Sequence, residues 1–88
     1  MIKNISQAVS VKKANLFYDD IKKEYFLIHY GTEIFRLDTN LQVLKALKCS
    51  PSSTRAIKQT VEFLGLNWED IRLKMTRYTD FYKYPVGA

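Results

Sequence analysis

The chain has few of the residues from which cross-links, metal sites and phosphate loops are built. Its 88 residues include a single cysteine, Cys49, so an internal disulfide is excluded. One thiol and one imidazole, Cys49 and His29, are too few for a structural zinc site. Only three glycines are present, at Gly31, Gly65 and Gly87, and they are too widely spaced for a glycine-rich phosphate loop. We therefore expect no metal and no other cofactor.

Long apolar runs are also missing. The longest purely apolar run covers residues 25–28, which is far too short to span a bilayer. Residues 1–6 carry a charge with no apolar stretch behind it, so we expect no signal peptide. An unpaired thiol is typical of a reducing compartment. Together these features predict a soluble cytoplasmic protein with no membrane partner.

Composition and charge indicate a folded domain with an anionic partner. The chain is 47% hydrophobic and 14% aromatic, which argues against intrinsic disorder. We expect one domain over residues 1–88, with residues 1–13 frayed or forming an edge strand and residues 79–88 forming an aromatic tail. Fourteen basic residues against nine acidic ones give a net charge of +5, which favours nucleic acid or an acidic protein surface. The alternative is a charge that serves solubility alone.

The first half of the chain has the pattern of short β-strands. Residues 25–30 are aromatic and aliphatic throughout and give the strongest strand prediction, while residues 14–18 and 34–37 predict two more. Turns are expected at Gly31-Thr32 and at residues 38–40. Residues 41–48 suit either a short helix or a fourth strand, because so short a run has no decisive periodicity.

The second half predicts two helices. Residues 51–64 form the first, with Ser50 as N-cap, Pro51 in the first turn and Gly65 as the stop. Its apolar stripe, widened by small and aromatic neighbours, consists of Ala56, Ile57, Thr60, Val61, Phe63 and Leu64. Asn67 caps the second helix, whose apolar face consists of Trp68, Ile71, Met75 and Tyr78. The predicted fold class is α+β, a three- or four-stranded antiparallel meander followed by two C-terminal helices packed on one face.

Residues 30–57 resemble part of a known group of proteins. The chain has Tyr-Gly-Thr-Glu-Ile at residues 30–34 and Ser-Pro-Ser-Ser-Thr-Arg-Ala-Ile at residues 50–57. These segments resemble small uncharacterised tailed-phage and prophage proteins with a Tyr-Gly-Thr-x-Ile hairpin and a Ser-Pro-Thr-Thr-Ser-Arg-His-Ile-like helix start. The resemblance implies a phage or prophage setting in a host cytoplasm, and a strand over residues 41–44. The histidine of that pattern is replaced by Ala56 in this chain, so the resemblance does not imply any chemistry that depends on a histidine at this position.

The best candidate site surrounds the start of the first helix. Backbone N–H groups, hydroxyls and a guanidinium at a helix N-terminus are suited to binding a phosphate. Lysines on either side would extend this into a basic surface for nucleic acid. The anion- or nucleic-acid-binding residues predicted in this way are Lys45, Lys48, Ser50, Ser52, Ser53, Thr54, Arg55 and Lys58. The simpler alternative is ordinary helix capping beside a surface arginine.

Two groups of aromatic residues have alternative interpretations. Tyr25, Tyr30 and Phe35 would form either an aromatic platform for single strands or part of the core. The C-terminal segment is rich in the residue types that dominate binding hot spots, and it would either dock on a partner or fold back over the core. Its predicted partner-binding residues are Arg77, Tyr78, Phe81, Tyr82 and Tyr84.

The sequence does not predict an enzyme. No serine or cysteine has a base at a recognisable spacing, and His29 lies within a predicted strand. We expect a small basic, non-enzymatic binding protein of phage or mobile-element type that contacts nucleic acid. The first alternative is an inhibitor of a host defence protein such as a CRISPR-type nuclease. The second is a structural subunit that assembles as a homo-oligomer.

Overall fold

A five-stranded antiparallel sheet followed by two helices forms the described part of the chain. The computed structural model describes residues 1–40, 42–47 and 50–75. The strands are β1 (Ile2–Asn4), β2 (Ala14–Asp19), β3 (Glu24–His29), β4 (Thr32–Asp38) and β5 (Val43–Ala46). Each strand pairs with the next one along the chain, so the sheet is a simple meander. The helices are α1 (Pro51–Phe63) and α2 (Trp68–Met75), and the predicted α+β class is confirmed.

The sheet contains more strands than the three or four expected. Strand β1 lies at one edge and pairs only with β2, which agrees with an edge strand near the N-terminus, and a 3-10 turn at Ser6–Ala8 follows it. At the other edge β5 pairs with β4, although the sequence between residues 41 and 48 also suited a helix. Pairing with a preformed neighbour decides the conformation of so short a segment.

Three tight turns use the left-handed backbone region. Tyr30 and Gly31 form the two-residue loop between β3 and β4, with φ values of 52° and 77°. Positive φ at both central positions is typical of a type I′ turn, so the turn lies one residue earlier than the sequence suggested. Lys13 and Lys23, at φ values of 63° and 60°, occupy the same region beside β2. Each is the second residue of a Lys-Lys pair.

The core lies between one face of the sheet and the helices. Leu16, Leu27 and Leu37 are at most 1% exposed. Strand β4 has a bulge opposite the Leu27–Ile28 step, and on it the consecutive residues Ile34 and Phe35 are both buried. A regular strand would turn one of them to the opposite face, so the bulge adds an extra side chain to the core.

Helix α1 contributes most of the helical side of the core, and its ends form as predicted. Ile57 and Val61 are fully buried, but Phe63 is 48% exposed, because its position lies beyond the edge of the buried stripe. The Ser50 side chain caps the helix by accepting a hydrogen bond from the Ser53 N–H, with Pro51 in the first turn.

The segment after α1 also follows the sequence pattern. Gly65 ends α1 with a φ of 75°, a conformation that favours glycine. Asn67 Oδ1 accepts hydrogen bonds from the first N–H groups of α2. In α2, Ile71 is buried and Trp68 packs partly against the core, whereas Met75 and Tyr78 have no described side chains. None of the described helices is long and apolar enough to cross a membrane.

The packing of α1 predicts different outcomes for two apolar truncations in the same helix. Ile57→Ala removes a fully buried side chain and should lower the free energy of unfolding by about 2–5 kcal/mol. Phe63→Ala removes a half-exposed one and should change it by no more than about 1 kcal/mol. Urea unfolding followed by circular dichroism measures both. Equal losses would contradict the orientation of α1 described here.

Candidate functional site

Three segments meet at the end of the molecule that holds the β3–β4 turn, and we call this region the hairpin end. It consists of residues 10–13, residues 29–32 and residues 50–58. The Tyr30 N–H donates to the Lys13 carbonyl over 3.1 Å, joining the first two segments. Gln59 exchanges two hydrogen bonds with Ser10, which ties α1 to the first segment. The hydrogen bond between Ser53 and His29 holds the N-terminus of α1 beside the turn.

A cavity of about 270 Å³ lies between the turn and the start of α1. Its lining is mainly hydroxyl-bearing and aromatic, formed by His29, Tyr30, Thr32, Ile34, Ser50, Ser52 and Ser53. A water molecule takes up about 30 Å³ in the liquid, so the space accommodates a small polyatomic ion. A smaller cavity of about 150 Å³ at the opposite end includes the carboxylate-bearing Asp38 in its lining, which makes it unsuited to anions.

A chain of hydrogen bonds connects the first turn of α1 to β3. The Ser50 hydroxyl donates to Ser53 Oγ over 3.2 Å, and Ser53 Oγ shares a hydrogen bond of 2.8 Å with His29 Nδ1. The Ser53 hydroxyl has one proton, and we assign it to the hydrogen bond with Nδ1. The neutral imidazole then carries its proton on Nε2, and the protonated ring carries one there as well.

With this assignment, the Nε2 group of His29 is a hydrogen-bond donor. It is buried and has no partner among the described residues, while the histidine as a whole is 6% exposed. A buried donor without an acceptor is costly and uncommon. No local sequence pattern indicates this group, because His29 and Ser53 are 24 residues apart in the chain.

The hairpin end is cationic. Lys12, Lys13, Arg55 and Lys58 are all exposed there. The described segments that form this end contain no aspartate or glutamate. Glu33 follows directly after Thr32, but its carboxylate bonds to Arg36 and Lys45 on the sheet. By contrast, Asp19 and Asp20 accompany Lys22 and Lys23 at the opposite end.

The predicted site residues around the helix start are only partly available to a ligand. Ser52 and Arg55 are exposed, and Ser50 and Thr54 are partly exposed. Ser53 is only 1% exposed, and its hydroxyl is taken up by Ser50 and His29, so it supports the site from behind.

Lys45 does not join this group, which corrects the sequence-based prediction. It lies opposite Arg36 in the β4–β5 register, on the sheet face away from the core, and its ammonium group lies 3.4 Å from Glu33. A register shift opposite the Arg36–Leu37 step interrupts the alternation of β5, so Val43 and Ala46 both face the core while Lys45 faces away from the helices. Lys48 and the predicted partner-binding residues Arg77, Tyr78, Phe81, Tyr82 and Tyr84 lie outside the described residues.

The sheet face opposite the core, called the open face below, carries an aromatic and ionic row. Phe17 and Phe26 stack with ring centroids 5.2 Å apart, and the Arg36 guanidinium lies 4.8 Å from the centre of the Phe26 ring. Arg36 also donates to Glu24 over 2.6 Å and bonds to Glu33 through two nitrogens. Successive side chains of a strand point to opposite faces. Because Phe17 and Phe26 are next to the buried Leu16 and Leu27, this rule alone predicts that both phenylalanines lie on the open face.

Of the two interpretations of Tyr25, Tyr30 and Phe35, platform or core, the structure supports the core for two of the three residues. Phe35 is fully buried and Tyr25 packs against the core, which leaves Tyr30 as the exposed member of the three. Tyr30 is 66% exposed, and its ring centroid lies 4.7 Å from that of His29.

The contact between Ser53 and His29 was not predicted, and it does not form a nucleophile–base pair of the usual kind. Ser53 is buried in a helix, and its hydroxyl is held by Ser50 and His29. No carboxylate among the described residues bonds to the other ring nitrogen to orient it. The described residues also contain no cluster of three metal-ligating side chains.

Comparison of the chain with protein-family models, with curated proteins and with solved structures finds no match.

The link between Ser53 and His29 predicts a stability difference between two neighbouring serines. Ser53→Ala leaves His29 Nδ1 buried without its partner and should lower the free energy of unfolding by about 1–3 kcal/mol. Ser52→Ala, in the same turn but exposed, should change it by at most about 0.5 kcal/mol. Urea unfolding compares them, and similar losses at both positions would show that the link adds little.

The ionic row on the open face predicts a pH dependence of stability. Partial burial alone would raise the pKa of Glu33, but the hydrogen bond and charge of Arg36, with the charge of Lys45, together lower it below the ordinary value of 4.5. A lowered native pKa stabilises the fold above the unfolded pKa, and this contribution is lost as the pH falls through the native pKa. The same hydrogen bond to Glu33 stabilises the charged guanidinium of Arg36 and so raises its pKa.

Urea unfolding at a series of pH values tests this coupling. Between about pH 5 and pH 3, wild-type protein should lose more stability than Glu33→Gln, and at pH 7 the variant should be the less stable of the two. Parallel stability curves for the two proteins would mean that Glu33 is not coupled to folding.

Proposed function

We propose that the protein binds nucleic acid at the hairpin end. The observation that carries this proposal is the segregation of charge, with Lys12, Lys13, Arg55 and Lys58 exposed around a helix N-terminus and no carboxylate in the described segments there. A helix N-terminus carries a partial positive charge and unpaired N–H groups, which favour phosphate. The N–H of Ser52, at the second helical position, has no acceptor within the helix.

The exposed ring of Tyr30 favours a single strand over a duplex. An aromatic side chain that projects beside cations provides a stacking surface for an unpaired base. Tyr30 is held in the left-handed backbone region, which costs about 1–2 kcal/mol for a residue with a side chain. That cost is consistent with a tyrosine whose ring serves a purpose other than turn formation.

The resemblance of residues 30–57 to phage and prophage proteins suggests a setting for this function. In it, a small basic protein of a mobile element would act in a host cell by occupying nucleic acid without altering it. Both resembling segments, the hairpin and the helix start, are among the segments that form the hairpin end.

The two Lys-Lys pairs of the chain allow a closely matched test. Lys12→Glu with Lys13→Glu reverses two charges at the hairpin end. Lys22→Glu with Lys23→Glu reverses two at the opposite end, with the same net charge and the same left-handed second residue. Fluorescence anisotropy with a labelled oligothymidylate, measured over a range of salt concentrations, compares both variants with wild-type protein.

Only the change at the hairpin end should weaken binding strongly. The loss of two phosphate contacts should make the log–log salt dependence shallower by about 1.4 and lower the affinity at least about ten-fold. The control should lose much less, through its effect on net charge alone. Equal losses for both variants, or no binding by wild-type protein, would contradict the proposal.

A protein partner is a second candidate, favoured by the open face. Phe17, Phe26 and Arg36 are of the types enriched at protein–protein interfaces. Glu24 and Glu33 balance the cations there and would repel a phosphate backbone. An inhibitor of a host defence nuclease would then bind through this face, and Phe26→Ser would abolish its activity while the Lys12/Lys13 change would not.

A further inference from the structure

We infer that the cavity beside His29 binds a phosphate monoester, the group found at the end of a phosphorylated nucleic-acid strand. This deepens the proposed function and rests on it for the identity of the strand. The starting observation is the Nε2 group of His29, a buried donor without a partner on a residue that lines the cavity. A donor in this position requires an acceptor, and an anionic oxygen is the strongest one.

Several further donors surround the same space. Thr32 and Ser52 contribute hydroxyl groups to its lining. The first turn of α1 adds its positive dipole end and the Ser52 N–H. The hydroxyl of Ser53 is taken up in holding the imidazole, so the donors that remain come from β3, β4 and α1. Their convergence on one cavity distinguishes it from a capped helix end alone.

The burial of His29 favours a terminal phosphate over one within a strand. His29 and Ser53, which line the cavity, are only 6% and 1% exposed. A phosphodiester has a sugar on both sides and two anionic oxygens, whereas a monoester has a single substituent, three anionic oxygens and a charge of about −1.5 to −2. A monoester can therefore approach the half-enclosed His29 with three oxygens, while its single substituent leaves towards Tyr30 and the lysines.

Fluorescence anisotropy with three labelled oligothymidylates of one length tests this inference, one with a 5′-phosphate, one with a 3′-phosphate and one with neither. We expect a terminal phosphate to tighten binding about ten-fold, because each charge-assisted hydrogen bond gained is a strong one. Equal, measurable affinities for all three would overturn the inference and leave the proposed function standing.

Two substitutions of His29 separate the Nε2 donor from its structural role. His29→Asn keeps a polar group near the Nδ1 position, opposite Ser53, but has nothing at the Nε2 position. His29→Gln carries an amide that reaches the Nε2 position. His29→Asn should lose the preference for a terminal phosphate, and His29→Gln should keep part of it. Thermal melting establishes that both variants are folded. Loss of the preference in neither variant would exclude His29 from the site.

A mononucleotide tests whether the terminal phosphate binds in the absence of a strand. Titration of thymidine 5′-monophosphate into labelled protein, followed by the imidazole ¹⁵N resonances of His29, should shift Nε2 more than inorganic sulfate does at the same concentration. If the mononucleotide binds and no oligonucleotide does, the proposed function fails while the monoester site stands. If neither binds, both are wrong.

Discussion

The position of the α1 N-terminus against the end of β3 is the constraint on which the rest of this account depends. It is fixed by the buried hydrogen bond between Ser53 and His29, extended to Ser50 at the helix cap. One residue further along, the type I′ turn at Tyr30 and Gly31 reverses the chain. The helix dipole, the turn and the cavity are thereby held together by a short run of polar contacts at the edge of an apolar core.

The two faces and two ends of the sheet have distinct chemical properties. The core face is apolar apart from His29 at its margin, and the open face is aromatic with balanced charges. The hairpin end is cationic, while the opposite end mixes lysines with aspartates. A net charge of +5 spread evenly over the surface would attract any polyanion weakly and in any orientation. Because the unbalanced cations lie at the hairpin end, that end faces the polyanion. Binding at one end leaves the open face accessible to a different partner.

The fold was predictable from local patterns, and the site was predictable only in part. Ser50, Pro51 and Gly65 gave the limits of α1 because capping depends on neighbours in the chain. Phe35 had two interpretations, platform or core, because its pairing with the buried Leu27 of β3 is not visible in a local pattern. The burial of Ile34 beside it depends on a bulge, which also requires pairing with β3. Lys45 was grouped with the helix start because sequence proximity conceals which face of a strand a side chain occupies. His29 and Ser53 meet only in three dimensions, so no local pattern could connect them.

The central claim is that ligand binding is confined to the hairpin end. Mapping of backbone amide shifts in ¹⁵N-labelled protein on addition of a 5′-phosphorylated oligothymidylate tests it most directly. The account predicts that the largest shifts cluster in residues 10–13, 29–32 and 50–58, with residues 19–24 and the open face unchanged. The claim would be contradicted if the largest shifts occurred at Phe17, Phe26 and Arg36. Shifts spread evenly over all lysines would contradict it as well.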